Sequence, residues 1–99
     1  MKTLTEPTEV AQFAAAVVRR HLPDPDYRVF LFGSRADGSA HERSDIDIGI
    51  EGPDPVPREA LTLIEEELEE APTLYSIDVV DFRRVDEKFR RVARARLAL

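Results

Sequence analysis

Apolar residues recur along the chain in two rhythms. From Thr8 to Leu22 they fall at Val10, Phe13, Ala14, Val17 and Val18, the three-and-four spacing of a helix with one core-facing stripe. Pro7 stands near its start, where a missing N–H is harmless. From Arg58 to Ala71 the same spacing returns at Leu61, Ile64 and Leu68, with glutamates opposite and Pro72 closing the run. Between these helices Tyr27–Phe32 is a short apolar run ended by Gly33-Ser34, which predicts a buried strand emptying into a tight turn. Ser44 to Ile50 alternates instead, with Ile46, Ile48 and Ile50 on one face and Asp45 and Asp47 on the other, and Gly49 weakens the strand. Leu74–Phe82, rich in β-branched and aromatic residues, is a third strand. Three prolines between Gly52 and Pro57 make a stiff connection. A last helix over about Asp86 to Ala98 turns Phe89, Val92, Ala93 and Leu97 inward and its arginines outward. The order is helix, strand, turn, strand, helix, strand, helix.

The polar positions then change the picture. On a strand Asp45 and Asp47 lie roughly 6 to 7 Å apart at their backbones on one face, and unpaired carboxylates so placed repel unless a cation sits between them. Magnesium suits that role, because it takes oxygen ligands from one or two carboxylates and completes its shell with water and substrate phosphates. The third strand offers two further carboxylates. Asp78 is mid-strand, where an ionised group needs a partner, while Asp81 lies near the end, where a turn or cap accounts for it; Asp78 is the better candidate. Gly33 lets a phosphate approach the backbone, Ser34 offers an amide and a hydroxyl, and a helical turn over Arg35 to Gly38 would attract anions, with Arg35 adding a direct charge. Ser44 reads as a local cap orienting the carboxylates, since no histidine is placed to make it a nucleophile. His41 and Arg43, in the loop before the second strand, could approach phosphates. Taken singly, Gly-Ser is an ordinary turn and Asp-x-Asp an ordinary strand face; the joint spacing is what carries the reading.

Gly33-Ser34-x-Ala36-x-Gly38, five residues, then Ser44-Asp45-x-Asp47 resembles the signature of the nucleotidyltransferase superfamily related to DNA polymerase beta. The small size resembles its minimal nucleotidyltransferases, the MNT proteins, which occur beside HEPN-domain toxins as antitoxins. The resemblance covers about Arg28 to Phe82. It implies an α/β (α+β) nucleotidyltransferase fold, a small mixed three-stranded sheet flanked by about four helices. It also implies use of Mg2+ and ATP, and AMP transfer to a hydroxyl, that of a tyrosine, on a HEPN toxin. On this chain the metal carboxylates and catalytic residues would be Asp45, Asp47 and Asp78, and the nucleotide would meet Gly33, Ser34, Arg35 and Ser44. Two other functions stand beside it: an antitoxin that masks its toxin by binding alone, and modification of a small molecule such as an aminoglycoside.

The chain's 99 residues, 42% of them hydrophobic, suffice for one domain spanning 1–99. It has no cysteine, no apolar signal segment and no run long enough to span a membrane, which fits a cytoplasmic address. A net charge of −6 makes direct nucleic-acid binding an unfavoured function. The charge is uneven, however: Glu51–Glu70 is acidic, whereas from Arg83 to Arg96 six arginines and a lysine face two acids, a possible partner surface.

Overall fold

A computed structural model describes residues 3–38, 40 and 44–99. His41 and Arg43, and the side chain of Val92, lie outside what it describes. In chain order the elements are α1 (Pro7–His21), β1 (Arg28–Phe32), α2 (Ser34–Asp37), β2 (Ile46–Glu51), α3 (Arg58–Glu69), β3 (Ile77–Asp81), α4 (Glu87–Val92) and β4 (Arg96–Ala98). The strands form one mixed sheet in the order β3-β2-β1-β4, in which β1 runs antiparallel to both β2 and β4, and β2 runs parallel to β3. The parallel step is made by α3, as a crossover connection requires.

The two apolar rhythms meet on one face of this sheet. Val10, Ala14, Val17 and Val18 of α1 and Ile64 and Leu68 of α3 pack onto Ile46, Ile48 and Ile50 of β2, and the three isoleucines are wholly buried. At about 1.5–3 kcal/mol for each fully buried side chain, this alternation sets the register of the central strand. In the last turns of the two helices, Glu67 of α3 accepts from Arg20 Nη2 at 2.6 Å and lies 2.9 Å from His21 Nε2, joining α3 to α1. The opposite face carries a smaller aromatic core. Phe30, Phe32 and Phe82 are buried edge to face, with centroids 4.9 and 5.0 Å from Phe82, and Phe89 of α4 closes on them at 5.6 and 6.0 Å. Gly49 sits beneath this cluster. A Cβ there would collide with the Phe30 ring and lie 2.8 Å from Phe82, so the residue that weakens a strand in isolation is the one the aromatic packing accepts.

Two expectations need correction. The sheet has four strands, not three, and the final helix does not run to Ala98. It stops at Val92, and Arg96–Ala98 instead pairs with the outer edge of β1, matching Phe30 with Ala98, Leu31 with Leu97 and Phe32 with Arg96. Phe89, Ala93 and Leu97 are spaced as a helical stripe, but β1 has β2 on one side only, and its remaining N–H and C=O groups need partners more than the tail needs another turn of helix. Leu97, expected inward, is therefore half exposed. The arginines also turn back onto the protein. Arg83 Nε donates to Gly52 O at 2.5 Å, Arg84 Nη2 to Val56 O at 2.7 Å, and Arg90 to Phe82 O at 2.6 and 3.0 Å. Arg96 pairs with Glu51 at 2.9 Å and lies over the Phe30 and Phe82 rings at 4.4 and 4.8 Å. Much of the basic block thus holds loops and aromatic rings in place.

Candidate active site

The parallel pairing of β2 and β3 sets Asp47 directly opposite Asp78. Asp45 immediately precedes β2, and the bond from Ile46 N to Ser76 O, 2.9 Å, ties that approach to the start of β3. Both side chains of the matched pair emerge on the sheet face away from α1 and α3, because Ile46 and Ile48, and Ile77 and Val79, occupy the other. Asp45 and Asp78 are exposed, and Asp47 is half-buried. Burial raises the Asp47 pKa, and the charges of Asp78 and then Asp45 push it further in the same direction. The charges of Asp78 and Asp45 thus both reach Asp47.

Gly33 closes the site from β1. Its backbone, at φ +74° and ψ −152°, lies in a region open essentially to glycine alone, and a Cβ would fall 2.5 Å from Asp47 Oδ2. The turn that follows is the short helix expected from the sequence, with Ala36 N and Asp37 N bonded to Gly33 O at 3.0 and 3.1 Å and Ser34 at its first position. Gly33 is therefore brought against Asp47, with Ser34 next in the chain at the start of the short helix. Arg35 takes a different course. Its Nη2 donates to Ser44 O at 2.7 Å and its guanidinium lies 5.2 Å from the centroid of the Tyr75 ring, so it braces the turn against the residue before Asp45. Ser44 is half-buried at that junction.

The donor set consists of carboxylate oxygens, which suits a hard cation such as magnesium, and such a cation would offset both the burial of the Asp47 charge and its repulsion by Asp78 and Asp45. Among the described residues no group of three or more histidine, cysteine, aspartate or glutamate side chains is placed to hold a metal ion, so Asp45, Asp47 and Asp78 do not converge as a three-carboxylate set. That is compatible with magnesium, which commonly takes one or two protein carboxylates and draws its other ligands from water and phosphate.

Asp81 is the turn residue that its place near the strand end suggested. It is 5% exposed, and its carboxylate accepts from Val56 N at 2.8 Å, Arg83 N at 2.9 Å and Arg84 Nε at 3.0 Å. Its acceptors are engaged in anchoring the proline-rich connection, and it faces away from the other carboxylates along the strand. One feature had no signal in the sequence. A cleft of about 520 Å³ opens beside Asp45, lined by Leu4 and Thr5 of the N-terminal segment and by Leu74, Tyr75 and Ser76 ahead of β3. Leu4 N donates to Pro72 O at 2.7 Å, and Leu4 bridges to Thr73, a long-range contact no periodicity announces.

The sheet, the glycine turn and the carboxylates together define a nucleotidyltransferase fold, and the chain belongs to the polymerase beta nucleotidyltransferase family, which it matches over residues 26–96. Among individual relatives it is 34% identical over 70 residues to the probable protein adenylyltransferase MntA of Haemophilus influenzae; the match covers 71% of this chain and 61% of that protein's length. In three dimensions it resembles an MntA–HpeT toxin–antitoxin structure, with a TM-score of 0.65, 22% identity, and 89% of this chain and 70% of the other covered. It also resembles a Shewanella oneidensis MNT antitoxin in complex with its tri-AMPylated HEPN toxin, with a TM-score of 0.62 and 17% identity over 94% of this chain and 71% of the other. A toxin–antitoxin structure with AMP-PNP aligns equally well, at 0.62 and 22% identity over 89% and 70%. Among the described residues no helix is long and apolar enough to cross a membrane.

Proposed function

We propose that the protein is a magnesium-dependent nucleotidyltransferase that moves AMP from ATP to a tyrosine hydroxyl of a HEPN toxin, and acts as its antitoxin in the cytoplasm. The observation that carries this is the in-register facing of Asp47 and Asp78 beside Gly33. Family membership, the resemblance to MntA and the neighbouring MNT–HEPN complexes support it.

In this reading Gly33 and Ser34 receive the phosphate chain, the glycine by its lack of a side chain and the serine by its amide and hydroxyl. Asp45, Asp47 and Asp78 would hold magnesium, which when bound would supply charge neutralisation at the phosphates and a lower pKa for the acceptor hydroxyl. The acceptor oxygen bonds to the α-phosphorus, the bond from that phosphorus to the oxygen bridging it to the β-phosphorus breaks, and pyrophosphate departs with the electron pair. Asp78, exposed at the edge of the site, takes the phenolic proton or orients the phenol. Arg35 serves through Ser44 and Tyr75, keeping turn and carboxylates in register.

The test is mass spectrometry of the partner after incubation with the protein, ATP and magnesium: the partner gains AMP units, and an unmodified partner with intact nucleotide binding counts against the reading. Replacing Asp45 and Asp47 together by Asn separates catalysis from masking. Loss of transfer by about a thousandfold, the several kcal/mol a metal contributes, with the complex still formed supports chemistry. Undiminished toxin neutralisation by the same variant supports binding alone.

A further inference from the structure

The two faces of the sheet carry opposite charge, and we propose that the outward side of α4 docks an acidic surface of a partner protein, with Lys88, Arg91 and Arg94 as the cationic contacts and Phe89 as the apolar one. The inference concerns binding and stands apart from the AMP-transfer reading, since this surface would engage its partner with or without catalysis.

The basic block divides in two. Arg83, Arg84, Arg90 and Arg96 are each engaged with the fold, whereas Lys88, Arg91 and Arg94 are exposed and, among the described residues, enter no ion pair. Leaving them so has a cost. α4 has six residues, too few for a helix to persist without support from outside itself. Lys88 and Arg91 lie one turn apart and repel, and Lys88 stands near the N-terminal end, where the helix dipole disfavours a cation. The adjacent acids do not cancel this: Asp86 is occupied as the cap, accepting from Phe89 N at 2.8 Å, and Glu87 enters no ion pair among the described residues. A negative surface laid across the helix would relieve the repulsion. Phe89 sits among these cations and stays 37% exposed although its inner side rests on Phe32 and Phe82. A half-covered ring within a charged rim is the make-up of a protein interface, whereas a nucleic acid draws its affinity from many phosphate contacts, which three cations on a chain of net charge −6 do not supply. Charge also sets the direction of approach. α3, on the opposite face, exposes Glu59, Glu65, Glu66 and Glu69, so an acidic partner is turned away there and drawn to α4. Docked on α4 it borders the candidate site, because Phe32, on which Phe89 packs, is matched in register with Asp47.

The experiment uses the full chain and follows the anisotropy of a fluorescein-labelled peptide, Glu-Asp-Leu-Glu-Glu-Leu-Asp-Glu, with a labelled single-stranded RNA and a ribose-labelled fluorescent ATP with magnesium as further probes. Arg91→Glu reverses a charge on α4, and Arg58→Glu makes the same change at the start of α3 on the other face; both residues are exposed, so neither change threatens folding. The expected result is that R91E weakens peptide binding about tenfold, adding K88E brings the loss to about a hundredfold, and R58E leaves it within about twofold, with ATP affinity unchanged throughout. Binding by the unsubstituted protein should also fall about tenfold between about 0.05 M and about 0.3 M salt. An equal loss in R58E would reduce the effect to net charge and overturn the proposal, as would a peptide that the unsubstituted protein does not bind. Loss of ATP affinity in R91E would assign the cations to the triphosphate, RNA bound more tightly than the peptide would make α4 a nucleic-acid surface, and a salt-sensitive dimer in sedimentation that R91E abolishes would make the acidic side of a second copy its occupant; each of these overturns it. Failure of the AMP-transfer reading looks different, since the protein would then bind the peptide with the expected dependence on Arg91 and transfer no AMP.

Discussion

The two ends of the β2–β3 pair treat carboxylates in opposite ways. At one end Asp81, matched with Ile50, is buried and answered by two backbone amides and the Arg84 guanidinium. At the other, Asp47 is matched with Asp78 and follows Asp45, and burial first, then those two charges, drives its pKa up. Three steps of register along the β2–β3 pair separate Asp81, a carboxylate that holds the fold together, from Asp47, whose charged form is disfavoured by burial and by its neighbours. The difference teaches that burial alone does not mark function: the most buried aspartate is the structural one, and the half-buried one sits among like charges, where perturbed groups mark candidate sites.

The sharpest test is to delete a carboxylate at each end and compare signs. Asp81→Ala leaves the Val56 and Arg83 amides and the Arg84 guanidinium without their acceptor, and should cost about 3 kcal/mol in denaturant unfolding. A loss below 1 kcal/mol would mean that the anchoring role is wrong. Gly49→Ala, midway between the ends, drives a methyl into Phe30 and Phe82 and should cost about 2 kcal/mol by the same measurement, with magnesium-dependent ATP binding retained in the folded fraction. Arg96→Ala removes a cation from two aromatic faces and an ion pair with Glu51, worth about 1 kcal/mol, and should be sensed first as weaker protection of the β1–β4 amides in hydrogen exchange. Asp47→Asn has the smallest effect on stability and the opposite sign. Because the folded protein holds the Asp47 proton more tightly than the unfolded chain does, stability contributed here falls as pH rises from the ordinary aspartate range through the raised value. Metal-free Asp47→Asn should therefore melt slightly higher at neutral pH and lose that part of the acid slope; a lower melting temperature would show that the ionised carboxylate is favourably paired.

How far this was legible beforehand depended on whether the cause was local. Helical and alternating periodicity placed α1, β1, β2, α3 and β3 within a few residues, and the argument that a mid-strand charge needs a partner separated Asp78 from Asp81. What stayed hidden involved residues distant in sequence. The pairing of Leu97 with Leu31 depends on an open strand edge 66 positions away, so a stripe at Phe89, Ala93 and Leu97 read as continuous helix. Gly49 looked like a flaw because the rings that need its emptiness belong to β1 and to the residue after β3. For Arg35, nothing in its surroundings along the chain foretells its bond to Ser44 O or its place over the Tyr75 ring.

The parallel register of β2 and β3 has one more consequence. Sliding β3 by a single residue would turn Ile77 and Val79 toward the aromatic face and Asp78 toward the helices, so mispairing would forfeit greasy surface and reactive geometry in the same stroke. The chain thereby proofreads its own chemistry while folding: an assembly stable enough to persist is one whose acids already stand abreast.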